Sequence, residues 1–188
     1  SLGLVGSEMC IRDRINSDNK YGVILSYAEN VVITNNAGAT ISADGNTAIY
    51  GKNVGNCHFN GTNCHSDLSG QSNGVGLTLH NHGTITSQHE TVWLGSGSSG
   101  AHRSKGIKIY NYDGGIIKTT DEGDSPIKGF HLVDFEFINY QGGTIEGDDR
   151  HAVNTEQSED INFTNNGTIT AEDKSCLLYT SPSPRDRE

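Results

Sequence analysis

The chain has 188 residues and a formal net charge of -10, from 13 basic and 23 acidic side chains. An acidic balance of this size argues against nucleic acid as a partner, because phosphate binding needs clustered Lys and Arg. No run reaches the roughly twenty apolar residues of a membrane-spanning helix, and the length suits one domain. Along the chain one motif returns: an apolar residue, Asn, one to three residues, Gly, then Thr-Ile. It reads ITNNAGATI at 33–41, LHNHGTI at 79–85, FINYQGGTI at 137–145 and FTNNGTI at 163–169, and the copy at 109–117 is IYNYDGGII. A period of this length marks a stacked solenoid, and short β-prone runs punctuated by Gly and Asn, with no Leu ladder, mark the parallel β-helix kind.

The threonine register sets the coil count. Thr40, Thr84, Thr144 and Thr168 share a place, with Ile116 as their counterpart, and Thr62 in FNGTN sits midway between 40 and 84. The spacing therefore predicts about six coils of 22–32 residues, the one at Thr62 degenerate. Within a coil, Gly106–Tyr110 alternates apolar and polar as a half-buried strand should, and Asn111–Gly115 is a turn cluster. Ile116–Thr120 is the next strand, Asp121–Pro126 a turn, and Ile127–His131 a third face. That face recurs at Thr47–Tyr50, Thr91–Leu94 and His151–Val153. No stretch has a 3.6-residue period, so the expected class is all-β with very little helix: a right-handed parallel β-helix solenoid. Stacking should align Ile41, Ile85, Ile117, Ile145 and Ile169 in one internal column, since a single coil cannot bury its apolar face. Asn35, Asn81, Asn111, Asn139 and Asn165 should form a turn ladder whose amides bond along the stack.

The two ends lie outside the repeat. SLGLVGSEMCIRDR at 1–14 and CLLYTSPSPRDRE at 176–188 resemble the translation of a sequencing-library adapter read from its two strands, and such scars are set aside before fold reasoning. The expected organisation is an adapter-like tail at 1–14, a β-helix fragment at 15–175 and a second adapter-like tail at 176–188, with no signal peptide within it. The tails carry four basic and four acidic residues, so the middle keeps nine basic against nineteen acidic ones and the full charge of -10. Open strand edges at the ends of such a fragment favour end-to-end self-association.

Candidate chemistry is sparse. Cys57 and Cys64 stand in CHFNGTNCH with His58 and His65. This spacing matches no established zinc pattern, so no metal is expected, and the pair reads as two reduced thiols or a local disulfide. Asp148, Asp149, Arg150 and His151 form an acid-base cluster after a Thr-Ile-Glu turn, with Asp121, Glu122 and Asp124 at a comparable turn one coil earlier. Two carboxyls across a glycosidic bond, His151 moving protons and Arg150 holding a substrate carboxylate would suit polysaccharide cleavage, although acidic turn residues are ordinary solvent-facing caps. Thr-x-Thr pairs at 84–86 and 168–170 hint at an ice-binding face, but Lys118 and Glu146 break it.

Strand, Asn, Asn-Gly-Thr-Ile, then a short face ending in Ala-Ile or Ala-Val resembles the passenger β-helix of bacterial autotransporters and related surface adhesins, over residues 26–173. The resemblance implies a secreted or cell-surface segment of structural or adhesive role, outside a Gram-negative-type cell, exported through a membrane barrel that this chain does not contain. No cofactor and no catalytic residue are expected, and the expected partner is a host or cell-surface ligand, a glycan among the candidates. The alternative is a carbohydrate-active β-helix enzyme, a polysaccharide lyase or glycoside hydrolase.

Overall fold

The computed structural model describes residues 8–55, 57–59, 64–65, 75–95, 102–120, 124–148, 151–172 and 177–180; for 57–59, 64–65, 102 and 177–180 only the backbone is described. All regular structure in these residues is strand, and the chain winds as a β-solenoid of about five turns with three parallel sheets. The first sheet stacks Glu8–Ile11, Val31–Asn35, Leu77–Asn81, His102–Asn111, Leu132–Asn139 and Glu159–Asn165. The second stacks Arg14–Ser17, Thr40–Ala43, Thr84–Ser87, Ile116–Thr119, Thr144–Gly147 and Thr168–Ala171. The third stacks Val23–Ser26, Ile49–Lys52, Val92–Gly95, Ile127–Phe130, Val153–Glu156 and Leu177–Thr180. Each coil thus contributes one strand to each sheet, and every lateral pairing between these strands is parallel.

The strands form where β-branched and aromatic residues alternate with polar ones. Val31–Asn35 and Leu77–Asn81 bury every second side chain, the pattern of a sheet with one wet face. Because pairing is parallel and in register, like stacks on like. Ile15, Ile41, Ile85, Ile117, Ile145 and Ile169 are successive partners in the second sheet. Ile41, Ile85, Ile117 and Ile145 are fully buried, while Ile15 and Ile169 at the two ends pack on the core only in part. Ile33, Leu79, Ile109, Phe137 and Phe163 make a parallel column from the first sheet. Size is matched along the axis as well. In the third sheet Leu25, Gly51, Leu94 and Gly129 succeed one another, and a Cβ on Gly51 would come within 2.7 Å of Leu94 Cδ2. Alternating large and small residues lets successive coils interlock at close range.

The coil at Thr62 does not exist. Thr40 pairs directly with Thr84, Val31 with Leu77 and Ile49 with Val92, so no strand lies between these rungs. The 44-residue step is one coil carrying an insertion. Within it Cys57–Phe59 and Cys64–His65 pair antiparallel with each other, and Cys57–Phe59 pairs antiparallel with the start of His102–Asn111. Thr62, on which the sixth coil was expected, lies outside the described residues, between these two antiparallel strands. The count of rungs is restored at the other end, where Arg14–Ser17 and Val23–Ser26 form a coil that lacks the motif. Strands also run through both segments that resemble adapter: Glu8–Ile11 pairs with Val31–Asn35, and Leu177–Thr180 with Val153–Glu156.

Candidate functional site

The motif Asn is a structural amide ladder. Asn35 Nδ2 donates to Asn81 Oδ1, Asn81 to Asn111, Asn111 to Asn139 and Asn139 to Asn165, each at 2.8 Å. The same amides donate to the carbonyls of Thr84, Ile116, Thr144 and Thr168 on the next coil, each at 3.2 Å. Asn35, Asn81, Asn111 and Asn139 are fully buried. The motif glycine follows from this ladder. A Cβ on Gly115 would meet Asn111 Oδ1 at 2.5 Å and Asn81 O at 2.6 Å, and one on Gly143 would meet Asn139 Oδ1 at 2.4 Å. Only a residue without a Cβ lets the turn lie this close to the amide it encloses. These residues hold the coil together and offer no reacting group.

The carboxylates lie elsewhere, on the outer face of the second sheet. An open groove of about 560 Å³ is lined by Lys118, Thr120, Glu146, Asp148, Thr170 and Glu172, among others. Lys118, Glu146 and Thr170 are there because they are register partners on three successive coils. Lys118 Nζ bonds Glu146 Oε2 at 2.9 Å, and both side chains remain well exposed. This hydrogen bond and the Glu146 charge raise the Lys118 pKa, against the opposing effect of partial burial, with Asp148 and Glu172 adding to the rise. Of the cluster proposed from sequence, Asp148 lines this groove and His151 is half-buried at the start of the third face. Asp149 and Arg150 lie outside the described residues, as do Asp121 and Glu122. Asp124 binds His89 instead, Oδ2 to Nδ1 at 2.9 Å. Among the described residues no three His, Cys, Asp or Glu side chains are grouped to hold a metal ion. For Cys57 and Cys64 the backbone register is the observation: Cys64 stands opposite Phe59, and Cys57 opposite Arg103.

A third feature comes from the pairing register. Next to the Asn ladder, the position after the motif Asn carries His82, Tyr112 and Tyr140 on three consecutive coils. His82 and Tyr112 stack at 4.3 Å with their planes 4° apart, and Tyr112 and Tyr140 at 4.9 Å and 8°. His80 and Tyr110, register partners on the adjoining strands, flank the stack at 5.4 Å. His80 Nδ1 lies 3.0 Å from the Tyr112 hydroxyl, and the Tyr110 hydroxyl donates to Glu136 Oε1. Partial burial and the neighbouring His82 lower the His80 pKa. Partial burial raises both phenols, helped by Glu136 at Tyr110 and by Tyr140 at Tyr112. Burial thus favours the neutral forms of His80, Tyr110 and Tyr112 on an acidic molecule. Asn-His, Asn-Tyr and Asn-Tyr stand in the aligned repeats, but only the register brings their rings together. A second stack, Tyr21, Tyr50 and Trp93, runs over the third sheet with centroids 4.5 and 4.7 Å apart.

Comparison with protein-family models, curated proteins and solved structures finds no match to this chain.

Proposed function

We propose that this chain is a non-catalytic structural and adhesive segment of a secreted or cell-surface bacterial protein, of the autotransporter passenger kind that its repeats resemble. The observation that supports the reading is where the regularity of the molecule is spent. Buried ladders of Asn and Ile run from coil to coil and make a stiff rod, while the carboxylates stand in an open groove where Lys118 already holds Glu146. Acid-base cleavage of a glycoside needs two carboxyls on either side of the bond, one to protonate the leaving oxygen and one to activate water or attack the sugar. A rod with side-chain bands along its flanks suits presentation and contact.

The test pairs adhesion with cleavage. Protein coupled to beads is scored for retention on host-cell monolayers and on immobilised glycans, and the same glycans in solution are assayed for new reducing ends or unsaturated uronates. Retention without cleavage is expected. Cleavage that disappears in Asp148→Asn would replace this reading with the carbohydrate-active enzyme.

A further inference from the structure

We propose that the strip formed by His80, His82, Tyr110, Tyr112 and Tyr140 is a binding site for a neutral glycan chain lying along the solenoid axis. The proposal rests on the adhesive reading and deepens it by naming the surface and the ligand class.

Four observations carry it. The strip spans three successive coils along the axis, a length that suits an extended polymer. Its stacked rings cover one another's faces. Their polar atoms are phenol hydroxyls and imidazole nitrogens: His80 Nδ1 and the Tyr112 hydroxyl are paired with each other and the Tyr110 hydroxyl donates to Glu136, and groups of this kind both donate and accept. A hydroxyl-rich chain needs this ambivalence, because each sugar hydroxyl also plays both roles. One ring face remains on offer: Tyr140 is 36% exposed, and the following coil places Asn166 after the motif Asn where a ring would continue the stack. Aromatic faces bind the apolar face of a sugar ring, and Tyr does so at low cost in side-chain entropy.

Charge selects the class. Burial favours the neutral forms of His80, Tyr110 and Tyr112. Glu136 is engaged by Tyr110. The surrounding molecule carries a net charge of -10, which repels acidic polysaccharides and leaves neutral ones indifferent. A protein partner would be drawn by a basic counter-surface, and nothing in the strip itself offers the ionic contacts to position one.

Affinity gel electrophoresis tests this, with the whole chain run through gels containing a galactomannan, a soluble β-glucan or dextran, and through parallel gels containing alginate or polygalacturonate. Retardation by at least one neutral polymer is expected, none by the acidic ones, and a loss of at least about tenfold in affinity in Tyr140→Ala and in Tyr112→Ala. Tyr140 is the half-exposed end of the stack, so Tyr140→Ala keeps the test informative if Tyr112→Ala fails to fold by circular dichroism. Tyr50→Ala, in the other aromatic stack, should leave retardation unchanged. No retardation by any neutral polymer, equal retardation of wild type and Tyr140→Ala, or stronger retardation by the acidic polymers overturns the proposal. If the coated beads still adhere to cells in any of those cases, the strip assignment fails and the adhesive reading stands; if adhesion is absent too, both fail.

Discussion

At the scale of single residues, the amide ladder concentrates the risk. Asn111 accepts from Asn81 and donates to Asn139, Gly115 and Thr144 from inside a fully buried site. Asn111→Leu keeps the branched outline and heavy-atom count but strands an amide N–H and several carbonyl oxygens, each a buried polar group that has lost a partner. The expected loss is about 2–4 kcal/mol, read as a lower urea midpoint with unchanged slope. Asn165, exposed at the last rung, has less to strand, and Asn165→Leu should cost under about 1 kcal/mol. Equal losses at the two positions would mean that the ladder contributes little beyond turn formation. The opposite end of the ladder is open. Ile11 stands opposite Asn35, in the segment that resembles adapter, and Asn35 Oδ1 is buried without a partner. Ile11→Asn supplies a donor worth about 1 kcal/mol but gives up the burial of Ile11, which is 5% exposed in the core and worth about 1.5–3 kcal/mol. The thermal midpoint should therefore fall by a few degrees, and a rise would show that the open amide is the larger defect.

At the scale of coils and corners, the legible and illegible parts separate for physical reasons. The Thr-Ile column, the Asn ladder positions and the parallel pairing could be read because stacking forces each place in the coil to repeat its residue type. The insertion at 53–75 was misread because Asn60-Gly61-Thr62 satisfies the same local turn chemistry as the motif, and local chemistry does not reveal which strand is paired with which. The coil at Arg14–Ser17 was missed because Ile15 alone carries its likeness to the column. The aromatic strip was overlooked because stacking of side chains between coils is a property of the register and is silent within any one repeat. The corners into the first sheet were hidden for another reason. Tyr27 and Asn30, His131 and Asp134, and Gln157 and Asp160 take left-handed backbone in pairs three residues apart, with φ between 50° and 56°. None is glycine, so no composition signal marks them. Left-handed backbone costs a side-chain-bearing residue about 1–2 kcal/mol, partly offset in glycine by its larger unfolded-state entropy. Gln157 is exposed, so Gln157→Gly should raise stability by about 0.5–1 kcal/mol and Gln157→Val lower it by about 1–2 kcal/mol. On a chain of this size each kcal/mol moves the thermal midpoint by about 2–4 °C, within reach of calorimetry.

At the scale of the whole molecule, acid should loosen the stack through its buried imidazoles before its carboxylates matter. His131 is 8% exposed at one of these corners, with Nδ1 unpartnered, the Phe130 ring edge against it and Arg103 nearby. Burial first, and the Arg103 charge second, lower its pKa from the ordinary 6.5. Glu159, the acid that pairs with Arg103 at 3.0 Å, is already committed to that guanidinium and gives His131 no counter-charge of its own. In the unfolded chain the imidazole protonates near its ordinary value, while in the folded chain it resists until lower pH. Between those two values the unfolded state binds more protons, so stability falls as pH falls. The contribution is complete above about pH 6.5, is lost through the window beneath it, and stops changing once the folded form has also protonated. His80, lowered by partial burial and by His82, adds to the slope with the same sign. Urea midpoints taken between pH 7.5 and pH 5 should therefore decline in the wild type. His131→Asn, which tolerates the left-handed corner and does not titrate, should flatten the decline and leave the His80 part. A wild-type midpoint that rises on acidification would show that relief of the -10 charge outweighs both histidines. A decline that His131→Asn leaves unaltered would place the acid sensitivity outside this corner.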